Sequence, residues 1–139
     1  GLQHANTVFQ LERKPDHVPR CDTVERVAYA LGLSPAFLAY GIEADASQPT
    51  EGLRSDGVAS RLRQTRLDRG LTMRALARAS GLTDTAVRST ETGASMPSIA
   101  TVEAFAVAIC VSPAWLAYGL GVGAHRDSQR KQARPAQTR

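Results

Sequence analysis

The chain has 139 residues, 42% of them hydrophobic, with two cysteines and a formal net charge of +4. No run approaches the roughly 18 apolar residues of a membrane span, and no charged-then-apolar signal segment opens the chain, so a cytoplasmic protein is expected. The charge is unevenly spread: residues 1–53 carry a net −3, residues 54–120 a net +3 and residues 121–139 a net +4. A basic second half with a basic tail suits an anionic partner, of which nucleic acid is the commonest.

The organisation is set by a repeat. Residues 23–41 recur as residues 101–119 at an offset of 78, with twelve of nineteen positions identical. Four more are apolar exchanges: Val27/Phe105, Leu31/Ile109, Leu33/Val111 and Phe37/Trp115. A repeat of this length implies the same structural unit twice. Cys21 aligns with Ile99 and Cys110 with Gly32, so the thiols are not equivalent and a disulfide framework is not expected.

In chain order, residues 1–42 read as a partial copy of the unit. Gly1-Leu2 echoes Gly81-Leu82, and Val8, Leu11 and Glu12 fall where Val87, Thr90 and Glu91 fall, at an offset of 79. The equivalents of the first two helices would precede Gly1, and there is no initiator Met. The expectation is a fragment of a longer protein, cut inside its first repeat; the alternative is a degenerate first repeat. Its apolar set, Val8, Val24, Val27, Leu31, Phe37 and Leu38, is expected to pack on the second repeat or on another chain. Residues 43–55 form a polar linker with Pro and Gly.

Residues 56–120 read as five short helices and no strand. Val58, Leu62 and Thr65 recur at helical spacing, and Gly70 closes that helix. Thr72 caps a second helix that turns Ala75, Leu76 and Ala79 inward. After Ser80-Gly81-Leu82, Thr83 caps a third with Val87 and Thr90 facing the core. Pro97-Ser98 opens a fourth, holding Val102, Phe105, Ala106 and Ile109, and Ser112-Pro113 starts a last turn with Trp115 and Leu116. Residues 121–139 form a basic tail expected to be disordered unless a partner orders it.

Helix, Ser-Gly-Leu turn, helix is the layout that presents the N-terminal residues of a second helix to the DNA major groove. The segment resembles the Cro/phage-repressor (XRE-type) helix-turn-helix family. The carrying residues are Arg61-Leu-Arg-Gln-Thr-Arg66, Gly70-Leu-Thr-Met-Arg-Ala-Leu-Ala77, Gly81-Leu-Thr-Asp-Thr-Ala-Val87, Glu91-Thr-Gly93 and Pro97-Ser98. The resemblance covers residues 56–119 fully and 2–41 in part. It implies an all-α fold: a five-helix repressor-like domain preceded by a partial copy.

It further implies that Thr83, Asp84, Thr85, Arg88 and Ser89 read bases, and that Arg61, Arg63, Thr72, Arg74 and Thr92 contact phosphate. Arg66 and Glu91 are implied to form an ion pair tying the first helix to the third. In the first copy, Asn6 and Gln10 align with Thr85 and Ser89, followed by Arg13 and Lys14, but without the first two helices this copy is not expected to read DNA. Two departures weaken phosphate contact: Met73 stands where the family often has Gln, and Ala94-Ser95-Met96 replaces a loop often rich in Lys and Arg.

His4, His17 and His125 with Cys21 and Cys110 fit no common zinc spacing, and Cys110, on an apolar helix face, reads as a core thiol. No nucleophile motif, phosphate-cradling glycine loop or acid–base pair is evident, so neither an enzyme nor a cofactor is expected. The reading is a sequence-specific DNA-binding transcriptional regulator, a repressor, acting on double-stranded DNA as a homodimer. It would be cytoplasmic and nucleoid-associated, of bacterial or phage origin, with neither membrane nor small-molecule ligand. The rival is a protein-interaction or oligomerisation module that kept the fold with weak or no DNA binding.

Overall fold

A computed structural model describes residues 18–44, 46 and 51–121. Two helices come from the first repeat, α1 Cys21–Ala30 and α2 Pro35–Tyr40. A 3-10 turn, Arg54–Gly57, leads into α3 Val58–Asp68, α4 Met73–Ser80, α5 Asp84–Glu91, α6 Ile99–Ile109 and α7 Pro113–Tyr118. Among the described residues there is no strand, and no helix is long and apolar enough to cross a membrane. His4, Asn6, Val8, Gln10, Leu11, Glu12, Arg13, Lys14, His17, His125 and the basic tail lie outside the described residues.

Local chemistry sets the helix starts. Thr72, Thr83 and Ser98 each take extended backbone and accept the N–H three residues on, from Ala75, Ala86 and Thr101. Each such cap contributes about 0.5–2 kcal/mol. Pro35 and Pro113, with φ already set and no N–H to satisfy, open α2 and α7. The second unit closes over Val58, Leu62, Leu76, Ala77, Val87, Val102, Phe105, Ile109 and Leu116, all buried. In α4 the inward pair is Leu76 and Ala77, whereas the expected Ala79 is exposed. The buried stripe of this short helix thus runs through Leu76 and Ala77, with Ala75 half-buried at its edge.

Cys110 also departs from expectation. It is exposed at the C-terminal end of α6, in left-handed backbone with φ 57, the same conformation as its repeat mate Gly32 at φ 68. The core thiol is Cys21 instead, and burial pushes it up to about 12. The helix face that carries Cys110 in sequence ends one residue earlier in space, where the chain must reverse.

The two repeats pack on each other with reciprocal contacts. The Cys21 N–H donates to the Pro97 carbonyl and the Ile99 N–H to the Pro19 carbonyl, both at 3.0 Å, around an antiparallel bridge between Arg20 and Ser98. The Tyr118 hydroxyl donates to the Cys21 carbonyl at 3.0 Å, and the Tyr40 hydroxyl to the Ile99 carbonyl at 2.9 Å. Every residue in one bond is the repeat mate of a residue in the other, the signature of an approximate two-fold axis inside one chain. The equivalent helices α2 and α7 meet across it.

The symmetry stops at the linker. The 3-10 turn sits on α1, where Glu25, fully buried, receives the Arg54 and Ser55 N–H groups and the Ser55 hydroxyl. It does the same for the Tyr29 hydroxyl, held at 2.8 Å. Val24 and Val27 are buried, but Leu31, Phe37 and Leu38 are exposed, while their mates Ile109 and Leu116 are buried and Trp115 half-buried. The difference follows from α3 and α4, which pack on α6 and α7 of the second unit.

Candidate nucleic-acid interface

α4 and α5 are joined by a reversal that only a few residue types permit. Gly81 takes left-handed backbone at φ 73, and the Leu82 N–H donates back to the Ala77 carbonyl at 2.9 Å, closing the end of α4. The Ser80 hydroxyl donates to the Leu76 carbonyl at 2.8 Å. Half-buried Leu82 packs against the core, and Thr83 then caps α5. The angle between the helices is therefore held by backbone bonds and a half-buried leucine rather than by exposed charges.

With Val87 and Thr90 buried, α5 must present its other face to solvent. Thr83, Asp84, Thr85 and Arg88 are exposed there, and Ser89 is half-buried at the edge. All five expected base-reading residues thus lie on one short helix or its cap. Asp84, in the first turn, complements the positive end of the helix. The Arg74 guanidinium of α4 approaches its carboxylate at 3.8 Å, with both side chains more than half exposed.

Beneath this surface, the Arg66 Nε and Nη2 donate to the two carboxylate oxygens of Glu91 at 2.7 and 2.9 Å. Nη1 donates to the Leu71 carbonyl at 2.8 Å. The pair is almost sealed, with side-chain exposures of 9% and 2%, and the hydrogen bond and charge of Glu91 hold the guanidinium above its ordinary pKa despite burial. α3 is thereby fixed to the end of α5 and to the loop before α4.

The expected phosphate-contacting residues separate in space. Arg63 and Arg74 are exposed, Thr72 is spent on capping α4, and the exposed Thr92 donates its hydroxyl to the Arg88 carbonyl at 2.8 Å. Arg61 departs from the expectation. Its guanidinium turns inward and donates to the carbonyls of Leu116, Ala117 and Arg54 at 2.8–2.9 Å. Burial lowers its pKa, and Glu25 offsets part of that. The open carbonyls at the end of α7 need a donor, and Arg61 is the cation within reach.

The sequence reading missed a further cation beside this surface. A cleft of about 480 Å³ is bordered by Thr90 and Gly93 to Met96, at the C-terminal end of α5, and by Arg20 from the first repeat. The alignment of Pro19 with Pro97 makes Arg20 the equivalent of Ser98, but only the packing of one repeat on the other brings the two together. Among the described residues no cluster of His, Cys, Asp and Glu could hold a metal ion.

Comparison with curated proteins and with solved structures returns no match. Residues 58–118 do match the family model described as a helix-turn-helix domain. With α4, its glycine reversal and α5 in place, that segment of the chain is a helix-turn-helix domain.

Proposed function

We propose that the chain is a sequence-specific DNA-binding transcriptional regulator of the XRE type, a repressor, whose α5 enters the major groove. The observation that carries this reading is the exposed row Thr83, Asp84, Thr85 and Arg88 on a helix whose reverse face is locked into the core. Arg88 is assigned to a base, since its guanidinium can pair with guanine O6 and N7, a contact worth about 1–3 kcal/mol of discrimination. Arg63, Arg74, Thr72 and Thr92 are proposed to face phosphate; Arg61, bonded to three carbonyls, is withdrawn from that set. Work in the cytoplasm, at the nucleoid of a bacterium or on a phage genome, follows from the same reading.

The test is selection of bound sites from a random duplex pool, followed by substitution. Arg88→Ala should relax preference at one base position, while Arg63→Ala should weaken all sequences alike and flatten the salt slope by about one. Equal loss on every sequence with Arg88→Ala would demote Arg88 to a phosphate contact.

A second reading, a protein-interaction module with weak or no DNA affinity, is favoured by the uncharged loop Ala94-Ser95-Met96 and by Asp84 standing beside Arg74. Absence of binding to random duplex even at low salt would select it. The homodimer proposal now rests on a smaller surface. The face joining the repeats is filled within the chain, which leaves exposed Leu31, Phe37 and Leu38 of the first repeat, with Val18, Leu67 and Val107 elsewhere, as apolar residues among those described that a second copy could cover. Monomeric mass at high micromolar concentration by sedimentation would refute it.

A further inference from the structure

Arg20 belongs to the first repeat, yet it lines the cleft beside the loop that follows α5. The antiparallel bridge holds it there, opposite Ser98, the cap of α6. Its guanidinium is not loose. Nε and Nη2 grip the two oxygens of Asp22 at 3.1 and 2.6 Å, and Asp22 also accepts the Thr23 N–H at 2.9 Å. The exposures are opposite: 8% for the Asp22 side chain and 59% for that of Arg20. A buried carboxylate therefore aims an open cation outward.

The Arg20–Asp22 fork spans residues two apart in sequence and so ties no two elements together. What it does is fix a long side chain that would otherwise wander, with Nη1 left to donate. The surroundings lack that charge, since the loop is Ala94-Ser95-Met96 and the other carboxylate in the cleft, Asp56, accepts the Leu53 N–H. Arg26, outside the cleft, lies 3.8 Å from Asp22 as a second cation, so the carboxylate that aims Arg20 is itself balanced from both sides.

An eight-residue helix is about 12 Å long, close to the width of the major groove, so when α5 lies in that groove the loop at its end stands at the lip, beside a phosphate strand. We propose that Arg20 contacts that strand: the first repeat supplies in cis the backbone-neutralising cation that the loop after α5 lacks. Arg20 is a positioning residue for duplex DNA, and Asp22 pre-orients it. This rests on the DNA-binding reading of α5.

The experiment uses the whole chain and a random-sequence duplex, with affinity read by fluorescence anisotropy from 50 to 300 mM KCl. Neutralising one phosphate contributes about 0.9 to the salt slope, about fivefold in affinity at 0.15 M. Arg20→Gln should lose that slope and that factor; it also takes the fork from buried Asp22 and lowers the melting temperature, so every titration is run well below the melting temperature of each variant. Arg26→Gln, which removes the same charge from α1 outside the cleft, should keep the slope. An Arg20→Gln slope equal to that of the unsubstituted chain overturns the proposal, as does an equal loss with Arg26→Gln. No binding by the unsubstituted chain at 50 mM KCl would bring down the DNA-binding reading itself, and this contact with it.

Discussion

Glu25 and Glu103 occupy the same position of the two repeats, and the structure gives them opposite fates. Glu103 is exposed, whereas Glu25 is fully buried and accepts from the Arg54 N–H at 2.6 Å, the Ser55 N–H at 2.9 Å, the Ser55 hydroxyl at 2.8 Å and the Tyr29 hydroxyl at 2.8 Å. Truncation to Ala strands the two backbone donors. The hydroxyls of Ser55 and Tyr29 can rotate, so they count for less. A buried donor left unmatched costs about 1–3 kcal/mol; two of them, partly relieved by water reaching half-buried Arg54, give about 3 kcal/mol for Glu25→Ala. For a chain of this size the urea m-value is about 1–3 kcal/mol/M, so the midpoint should fall by at least about 1 M. Glu103→Ala should leave it unchanged within error. Urea unfolding followed by circular dichroism at pH 7 reads both. Equal midpoints for the two variants would refute the claim that the linker is fastened to the first repeat through this carboxylate.

Arg66→Ala and Glu91→Ala each leave a charge sealed under α5 and should each destabilise by about 3–5 kcal/mol; the double variant should lose clearly less than the sum, by thermal melting. Cys110→Gly removes a side chain from left-handed backbone at φ 57 and should raise the melting temperature by several degrees, a gain of about 1 kcal/mol, while Gly32→Cys should lower it. Burial opposes the charge of Asp22, but the Arg20 fork, the Thr23 N–H and Arg26 outweigh it and hold the carboxyl below its ordinary value. Its contribution to stability is then present above the unfolded carboxyl's pKa, about 4, and is lost as pH falls further. Asp22→Asn should flatten stability against pH below about 4, and acid limbs that superimpose would contradict the sign.

The second unit was legible because each of its elements carries a local instruction. Thr72, Thr83 and Ser98 cap, Gly81 reverses, Pro113 starts a helix, and the apolar positions of α3, α5 and α6 repeat at helical spacing. The exposed row of α5 follows from the burial of Val87 and Thr90. What was not legible depends on contacts between distant parts. The inward turn of Arg61 answers the open carbonyls of α7, 55 and 56 residues away. The linker looked featureless because its 3-10 turn, capped locally by Asp56, is fastened to the fold by Glu25, some 30 residues earlier. Cys110 was misplaced for a simpler reason: helical spacing says which face a residue is on but not where the helix stops.

The repeat explains both the successes and the failures of reading one copy from the other. Tyr40 and Tyr118 are identical in sequence and perform the same bond, each reaching the backbone of the other repeat across the two-fold. For them, both partners lie inside the repeated stretch, so identity of sequence implies identity of role. Glu25 and Glu103 are equally identical but only one is buried, since the linker enters α3 past one repeat and not past the other. Leu31 and Ile109 differ in burial in the same way, because α3 and α4 cover only one of them. Arg20 shows the reverse: its mate is Ser98, a helix cap, yet the bridge that pairs them brings a cation of the first unit to the edge of the second unit's α5. The first repeat, through the bridge that pairs Arg20 with Ser98, thus shapes the cleft at the end of the second unit's α5.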